Sequence, residues 1–334
     1  MRKFLRILLS IPILTSSAIA LDYGDNDLYV RVIDVGAGLC CVTAMPDSHY
    51  MIFDAGYGDN AVTDVTEIIP NGSRIDLMVL SHTDADHLGA VREICDLYDI
   101  DRIIHSGMER TSATWVESET AIRAESASPN GCKDINLSRL EFPAGATYRF
   151  GDVFVTMICG FGEPPGDWDI SGSSEHNNAG SVVIRLQYRG RSILFCGDAV
   201  GRHEGGPQTQ CIATEKYMVE MSEAIPIRSD VIIAPHHGGD NGSSEAFIER
   251  VDPNYVIFSA GHRYEHPRAV TVQRYLNRGV AESHIFRTDL GDDEGDAEWN
   301  VGRVSGQNDP SGDDDIDIVI RDNGDVAVDY RQSK

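Results

Sequence analysis

The chain has 334 residues, 41% hydrophobic and 24% charged, enough to bury a large core in one big domain or two small ones. Its formal net charge of −25 opposes the counterion release that holds proteins on polyanions, so extended nucleic-acid binding is disfavoured. A phosphate group held through metal ions remains open to it, because ions reverse the local field.

Residues 1–20 read as a signal peptide. Arg2, Lys3 and Arg6 supply a positive start, residues 4–14 are mostly apolar, and Ala18-Ile19-Ala20 is a small-x-small cleavage site. A mature start near Leu21 implies a secreted or periplasmic protein, and no later stretch is long and apolar enough to span a bilayer. Strands are expected at 28–34, 39–44 and 50–53, with a Gly-containing turn at Gly36 and Gly38. Residues 61–69 have helical spacing and stop at Pro70-Asn71-Gly72. A short apolar strand at 75–80 runs into a polar cluster beginning at Ser81, followed by a helix at 88–97 and a buried strand at 103–104. Residues 108–145 are less regular and suit a helical excursion. A strand at 153–158 precedes a Gly/Pro/Ser/Asn-rich loop at 160–180. A hairpin is expected from 181–188 and 192–195, then a helix at 214–224 and a strand at 231–234. Next come a helix at 243–251 capped by Ser243 or Ser244, a strand at 255–259 and a helix at 269–278. Residues 289–317 form an acidic solvated loop. A terminal hairpin follows, with Asn323-Gly324 in its turn. This order of strand sets and βα units fits an α/β chain of two mixed sheets packed face to face with helices outside. Three segments are expected: the signal peptide at 1–20, a main domain at 21–290, and an acidic loop and hairpin at 291–334 completing it.

There are seven cysteines, so at least one is unpaired. Cys40, Cys41 and Cys196 lie in apolar runs and are expected to pack as small hydrophobes. Cys132, Cys159 and Cys211 flank loops and offer one pair for a bridge.

His82-Thr83-Asp84-Ala85-Asp86-His87 packs four metal-competent side chains into six residues, between an apolar run and a helix. Imidazole and carboxylate together suit zinc, manganese or iron. Asp198 leaves the apolar run 192–197, where a carboxylate is costly to bury alone and a metal would satisfy it. His236-His237-Gly238-Gly239 follows another apolar run; one of the two histidines is expected to be a ligand and the other to touch substrate or support the site. His266 lies after the 255–259 strand and is a candidate proton donor to a leaving group.

On these residues the chain resembles the metallo-β-lactamase superfamily. The run His82 to His87 looks like the superfamily signature with Asp84 in place of the middle histidine. That variant is similar to the metallohydrolase domain of competence-type DNA-uptake channel proteins. The resemblance continues through Asp34-Val35-Gly36, Phe53-Asp54-Ala55-Gly56, Asn177-Asn178, Cys196-Gly197-Asp198, Pro235-His236-His237-Gly238 and Tyr264-Glu265-His266-Pro267. It implies a four-layer αββα sandwich and two divalent metal ions, zinc first and manganese second. His82 and Asp84 would serve the first ion, Asp86 and His87 with His236 or His237 the second, and Asp198 would bridge. The superfamily usually has another histidine before the Asp198 strand. Here Asn177 and Asn178 stand there with His176 adjacent, so His176, His237 and Asn178 are further candidates for metal or substrate contact. Asp34 and Asp54 match positions that support the loops.

The implied reaction is hydrolysis: the ions share a water and lower its pKa, Asp86 or Asp198 takes its proton, and His266 assists the leaving group. Small or short phosphodiesters are the expected substrates. The alternatives are a lactam or lactone hydrolase and a non-catalytic extracellular metal-binding protein.

Overall fold

The computed structural model describes residues 21–57, 59–139, 143–290, 294–299 and 314–331. The expected signal peptide at 1–20 lies outside the described residues, as does most of the acidic loop expected after residue 290.

Two mixed sheets form the centre. In spatial order the first runs Val326–Tyr330, Ile316–Ile320, Leu28–Val32, Cys40–Met45, His49–Ala55, Leu77–Leu80, Arg102–His105 and Lys133–Asn136. The second runs Ile285–Arg287, Tyr255–Phe258, Val231–Ile233, Arg191–Phe195, Val183–Tyr188, Val153–Cys159 and Thr147–Phe150. Each sheet is antiparallel on one side and parallel on the other. The change falls between His49–Ala55 and Leu77–Leu80 in the first sheet. In the second it falls between Arg191–Phe195 and Val231–Ile233.

Alternation along the strands decides the layers. Met51 and Phe53 face the second sheet, where Phe53 meets Phe195 with ring centroids 5.2 Å apart. Ile52 and Ala55 face the other way, into a cluster with Leu80, Ile94 and Trp115 under the helices Val91–Leu97 and Ala113–Ser126. Leu194, Ile232 and Val256 do the same on the second sheet, against Met218, Phe247 and Tyr275 of the helices Ala213–Met221, Glu245–Val251 and Ala269–Asn277. The parallel strands are covered on both faces, which is why Leu77–Leu80 and Val231–Ile233 read as unbroken apolar runs. The result is the four-layer αββα arrangement.

Several expectations are corrected. The segment expected as a loop at 160–180 ends in a helix, Gly172–Ala179, whose sequence carries no apolar stripe. The helix Glu245–Val251 starts after Ser244 as expected, but neither serine side chain caps it. The buried Glu215 carboxylate instead accepts the Ser243 and Ser244 amides at 2.5 and 2.7 Å. All seven cysteines are free thiols. Cys132 packs outside the first sheet and Cys159 outside the second, so no bridge can join these layers. Among the described residues no helix is long and apolar enough to cross a membrane.

The terminal hairpin joins the first sheet through Ile316–Ile320, paired antiparallel with Leu28–Val32. A buried ion pair locks this seam. Arg31 Nε donates to Asp317 Oδ1 at 2.9 Å, its Nη1 donates to Asp64 at 3.1 Å, and Tyr29 Oη donates to the same Asp317 oxygen at 2.5 Å. Asp317→Ala is expected to cost about 3 kcal/mol in urea unfolding, because it removes one carboxylate partner of a buried guanidinium and the acceptor of a buried hydroxyl. Asp317→Asn, which keeps an acceptor, should cost clearly less.

Candidate metal centre

The metal-competent side chains stand on loops at the C-terminal ends of parallel strands, where open α/β sheets form their crevices. Leu77–Leu80 leads into Ser81 to Asp84 and the short helix Ala85–Leu88, which carries Asp86 and His87. Arg191–Phe195 leads to Asp198, Val231–Ile233 to His236 and His237, and Tyr255–Phe258 to Ser259 and His266. Glycine lets these loops meet. Gly197 has φ 52°, and a Cβ there would lie 2.4 Å from Ser81 Cβ. A Cβ on Gly38 would lie 2.5 Å from the Asp86 carbonyl oxygen.

Each histidine is oriented through Nδ1. Ser81 Oγ donates to Asp54 Oδ2 at 2.7 Å, which leaves its oxygen to accept from His82 Nδ1 at 3.0 Å. His87 Nδ1 donates to the same Asp54 oxygen at 2.8 Å. His237 Nδ1 donates to the Ser259 carbonyl at 2.7 Å. His236 Nδ1 faces Asn241 Oδ1 at 2.5 Å. With the proton on Nδ1, all four rings turn Nε2 inward, the arrangement expected around a metal.

The inward nitrogens meet Asp198, which is only 4% exposed. His87 and His237 Nε2 lie 3.2 and 3.5 Å from its Oδ1. His82 and His236 Nε2 lie 3.7 and 3.6 Å from its Oδ2. Asp86 Oδ2 is 3.8 Å from His237 Nε2, and Asp84 Oδ2 is 3.5 Å from His82 Nε2. His82 Nε2 and Asp198 Oδ1 are buried without a hydrogen-bond partner. Two groups, His82 with His87 and Asp198, and Asp86 with His87 and His237, bring their donor atoms within 4.8 Å of one another. Buried orphan donors of mixed imidazole and carboxylate type, at these spacings, fit divalent metal ions.

The charges agree. Burial opposes ionisation of Asp198, but the His87, His237, His236 and His82 rings outweigh it and hold the carboxyl well below its usual range. Burial also opposes a charge on His87, yet Asp198 and Asp54 on either side raise its pKa well above the usual value. A position between two carboxylates thus attracts a cation. Asp84 is held low against its burial by His82 and by Arg110, whose Nη2 donates to it at 2.8 Å.

Other expected residues fall differently. His176 is turned away from the cluster: its Nε2 pairs with Glu163 at 3.0 Å, and it lines a neighbouring groove with Gly107 and Met108. One step along the helix rotates a side chain by about 100°, so Asn177 and Asn178 face inward where His176 does not. Thr83 Oγ1 donates to Asn177 Oδ1 at 2.8 Å, which anchors this helix to the signature run. His266 reaches the cluster, with its ring centroid 5.6 Å from that of His236. Burial first, then His236, His237 and Arg268, lower its pKa to about 2, so it holds no extra proton near neutrality. Asp54 supports Ser81 and His87 as expected, while Asp34 accepts the Gly36 amide. Sequence reasoning missed Ser81, Asn241 and Ser259, which orient rings from single polar positions that carry no pattern. It also missed Arg110, Arg263 and Arg268, which line a cavity of about 790 Å³ over the cluster with Tyr57 and Tyr264.

The chain is 24% identical to "Competence protein ComA" of Neisseria gonorrhoeae over 300 residues, 84% of this chain and 33% of that protein. It is 22% identical to "ComE operon protein 3" of Bacillus subtilis (strain 168) over 219 residues, 65% of this chain and 24% of that protein. The chain therefore spans a third or less of these curated relatives. Among solved structures, the metallo-beta-lactamase fold protein YhfI from Bacillus subtilis aligns over 78% of this chain and 96% of its own, with 10% identity and a TM-score of 0.46. The family model described as "Metallo-beta-lactamase superfamily" matches residues 35–262. With its two packed sheets, outer helices and His/Asp cluster, the chain belongs to the metallo-beta-lactamase superfamily, whose members are mostly metal-dependent hydrolases.

Proposed function

We propose that the protein is a secreted or periplasmic hydrolase of small or short phosphodiesters, working with two divalent ions held by the cluster. The observation that carries this reading is the arginine rim. A chain of net charge −25 places Arg110, Arg263 and Arg268 around a cavity lined also by Asp84, Asp86, Asp198 and Glu204. Arg110 pairs with Asp84, Arg268 pairs with Glu265 at 2.5 Å, and Arg263 lies over the Tyr264 ring, 4.7 Å from its centroid. Free guanidinium at the rim suits an anionic substrate, and the planar fork of Arg263 matches the paired non-bridging oxygens of a phosphodiester. Similarity to two competence proteins is in keeping with the reading, and the pattern of residues 1–20 supports export. Four imidazoles favour zinc, and the carboxylates also admit manganese.

When bound, the ions supply Lewis acidity and bring the pKa of a water to about 7. The chain does the rest. Asp198 sets the spacing by presenting one oxygen to each pair of imidazoles. Asp86, with a third of its side chain exposed to the cavity, accepts the proton of the attacking water. Arg263 binds a non-bridging phosphoryl oxygen. His266, neutral, donates a hydrogen bond to the leaving oxygen without giving up its proton.

Purified protein should turn over bis(p-nitrophenyl) phosphate, lose that activity to EDTA and regain it with zinc or manganese. Asp198→Ala should lower kcat/KM by about 10²- to 10³-fold. Nitrocefin turnover without phosphodiester turnover would replace this reading with a carbonyl hydrolase. Stoichiometric metal with no turnover of either substrate or of single-stranded DNA would replace it with a non-catalytic binding protein. Arg263→Ala should raise KM for the phosphodiester about 10-fold, equivalent to about 1.4 kcal/mol, with kcat within about twofold. Asp54→Asn should weaken metal affinity about 10- to 100-fold in chelator competition, because it disturbs the acceptor shared by Ser81 and His87.

A further inference from the structure

We propose that His236 is a ligand of the first metal position, replacing the histidine that the superfamily usually carries before the Asp198 strand. The inference rests on the two-ion reading of the cluster and assigns His236 and His237 to different ions.

The backbone makes the split. His236 and His237 both adopt left-handed conformations, φ 49° and 55°. Side chains other than glycine avoid that region, and strain of this kind persists where the surrounding structure demands it. The His236 amide donates to the Gly197 carbonyl at 3.0 Å, which ties this turn to the Asp198 loop. Consecutive residues in a strand would send their side chains to opposite faces. Here both rings reach the same carboxylate, with centroids 6.1 Å apart.

They reach different oxygens of it. His237 stands with His87 and Asp86 on the Oδ1 side. His236 stands with His82 on the Oδ2 side, at 3.6 and 3.7 Å. Two tetrahedral ligands at about 2.1 Å from one zinc lie about 3.4 Å apart. The spacing is long for a hydrogen bond and close to that of donors sharing an ion. Asn241 occupies His236 Nδ1, so the free lone pair is on Nε2. His82 has the same polarity, and its Nε2 is buried with no hydrogen-bond partner. Two lone pairs aimed at one carboxylate oxygen repel it unless a cation lies between them, either a ring proton or a metal ion.

Asn178 occupies the remaining side. In its better-bonded orientation the Asn178 amide donates from Nδ2 to the Ser174 carbonyl at 3.1 Å and to Asp84 Oδ2 at 3.3 Å. Its oxygen then faces His236 Nε2. The residue at the usual histidine place thereby steers Asp84 and faces His236. The first position is then His82, Asp84, His236 and Asp198 Oδ2. The second is Asp86, His87, His237 and Asp198 Oδ1.

Metal content tests this without any substrate. Full-length protein is stripped, reloaded with cobalt(II), and followed by titration, mass-spectrometric metal analysis and the visible absorption of cobalt. Wild type should bind two equivalents. His236→Ala and His236→Gln should each keep one tight equivalent and bind the other at least about 100-fold more weakly, with native circular dichroism. Adding Asn178→His to His236→Ala should restore the second equivalent, since it returns an imidazole to the vacated side. His237→Ala should lose the other ion, with a different cobalt spectrum. Two equivalents of unchanged affinity in folded His236→Gln would overturn the proposal, as would fewer than two in wild type. Two ions bound as described, in a protein inert on phosphodiesters, would overturn the proposed function and leave this assignment standing.

Discussion

A carboxylate removed from water needs compensation on every side, and Asp198 is the place where this protein concentrates that demand. It is ionised despite burial because four imidazoles converge on it. Those imidazoles come from two loops and the carboxylate from a third, so satisfying one carboxyl group forces the ends of the Leu77–Leu80, Arg191–Phe195 and Val231–Ile233 strands into register with each other. Outer supports follow from the same need. Asp54, Ser259 and Asn241 each take an Nδ1 proton or face one, and so decide which nitrogen points inward. A ring free to flip would offer a donor where a lone pair is required.

The two sheets serve this centre by contributing matching edges. The parallel half of the first supplies the His82 to His87 run, and the parallel half of the second supplies Asp198 and the His236-His237 turn. The antiparallel halves close the core elsewhere, through Val30, Leu186 and Ile318. Rigidity at the rim thus comes from apolar packing beneath it, around Phe53 and Phe195.

Much of this was legible in the chain because the ligands are adjacent and follow apolar runs. His82 to His87 after Leu77–Leu80, and His236-His237 after Val231–Ile233, stand out by composition alone. The layer order was legible from alternation and from the two unbroken parallel strands. The helix Gly172–Ala179 was not, because it is polar throughout and is tied down by Thr83 instead of an apolar stripe. Nor was the outward turn of His176, which depends on helical phase in a segment with no visible phase. The different duties of His236 and His237 rest on two left-handed backbone angles, and no residue type there advertises them. Asn241 and Ser259 act as single atoms supplied by distant loops, so spacing carries no trace of them.

The seam between Leu28–Val32 and Ile316–Ile320 has a kinetic meaning. Tyr29 and Asp317 meet across 288 positions of sequence. The loop holding Gly36 and Gly38, which buttresses Asp86, leaves the inner strand of that seam. Ordering it early would mean closing a very long loop, an entropic toll that slows formation of such contacts. During biogenesis the metal-competent rim is therefore expected to mature late, after the ribosome has released residues 316–330. Until then the nascent polypeptide carries an uncapped Leu28–Val32 edge, open to pairing with other strands.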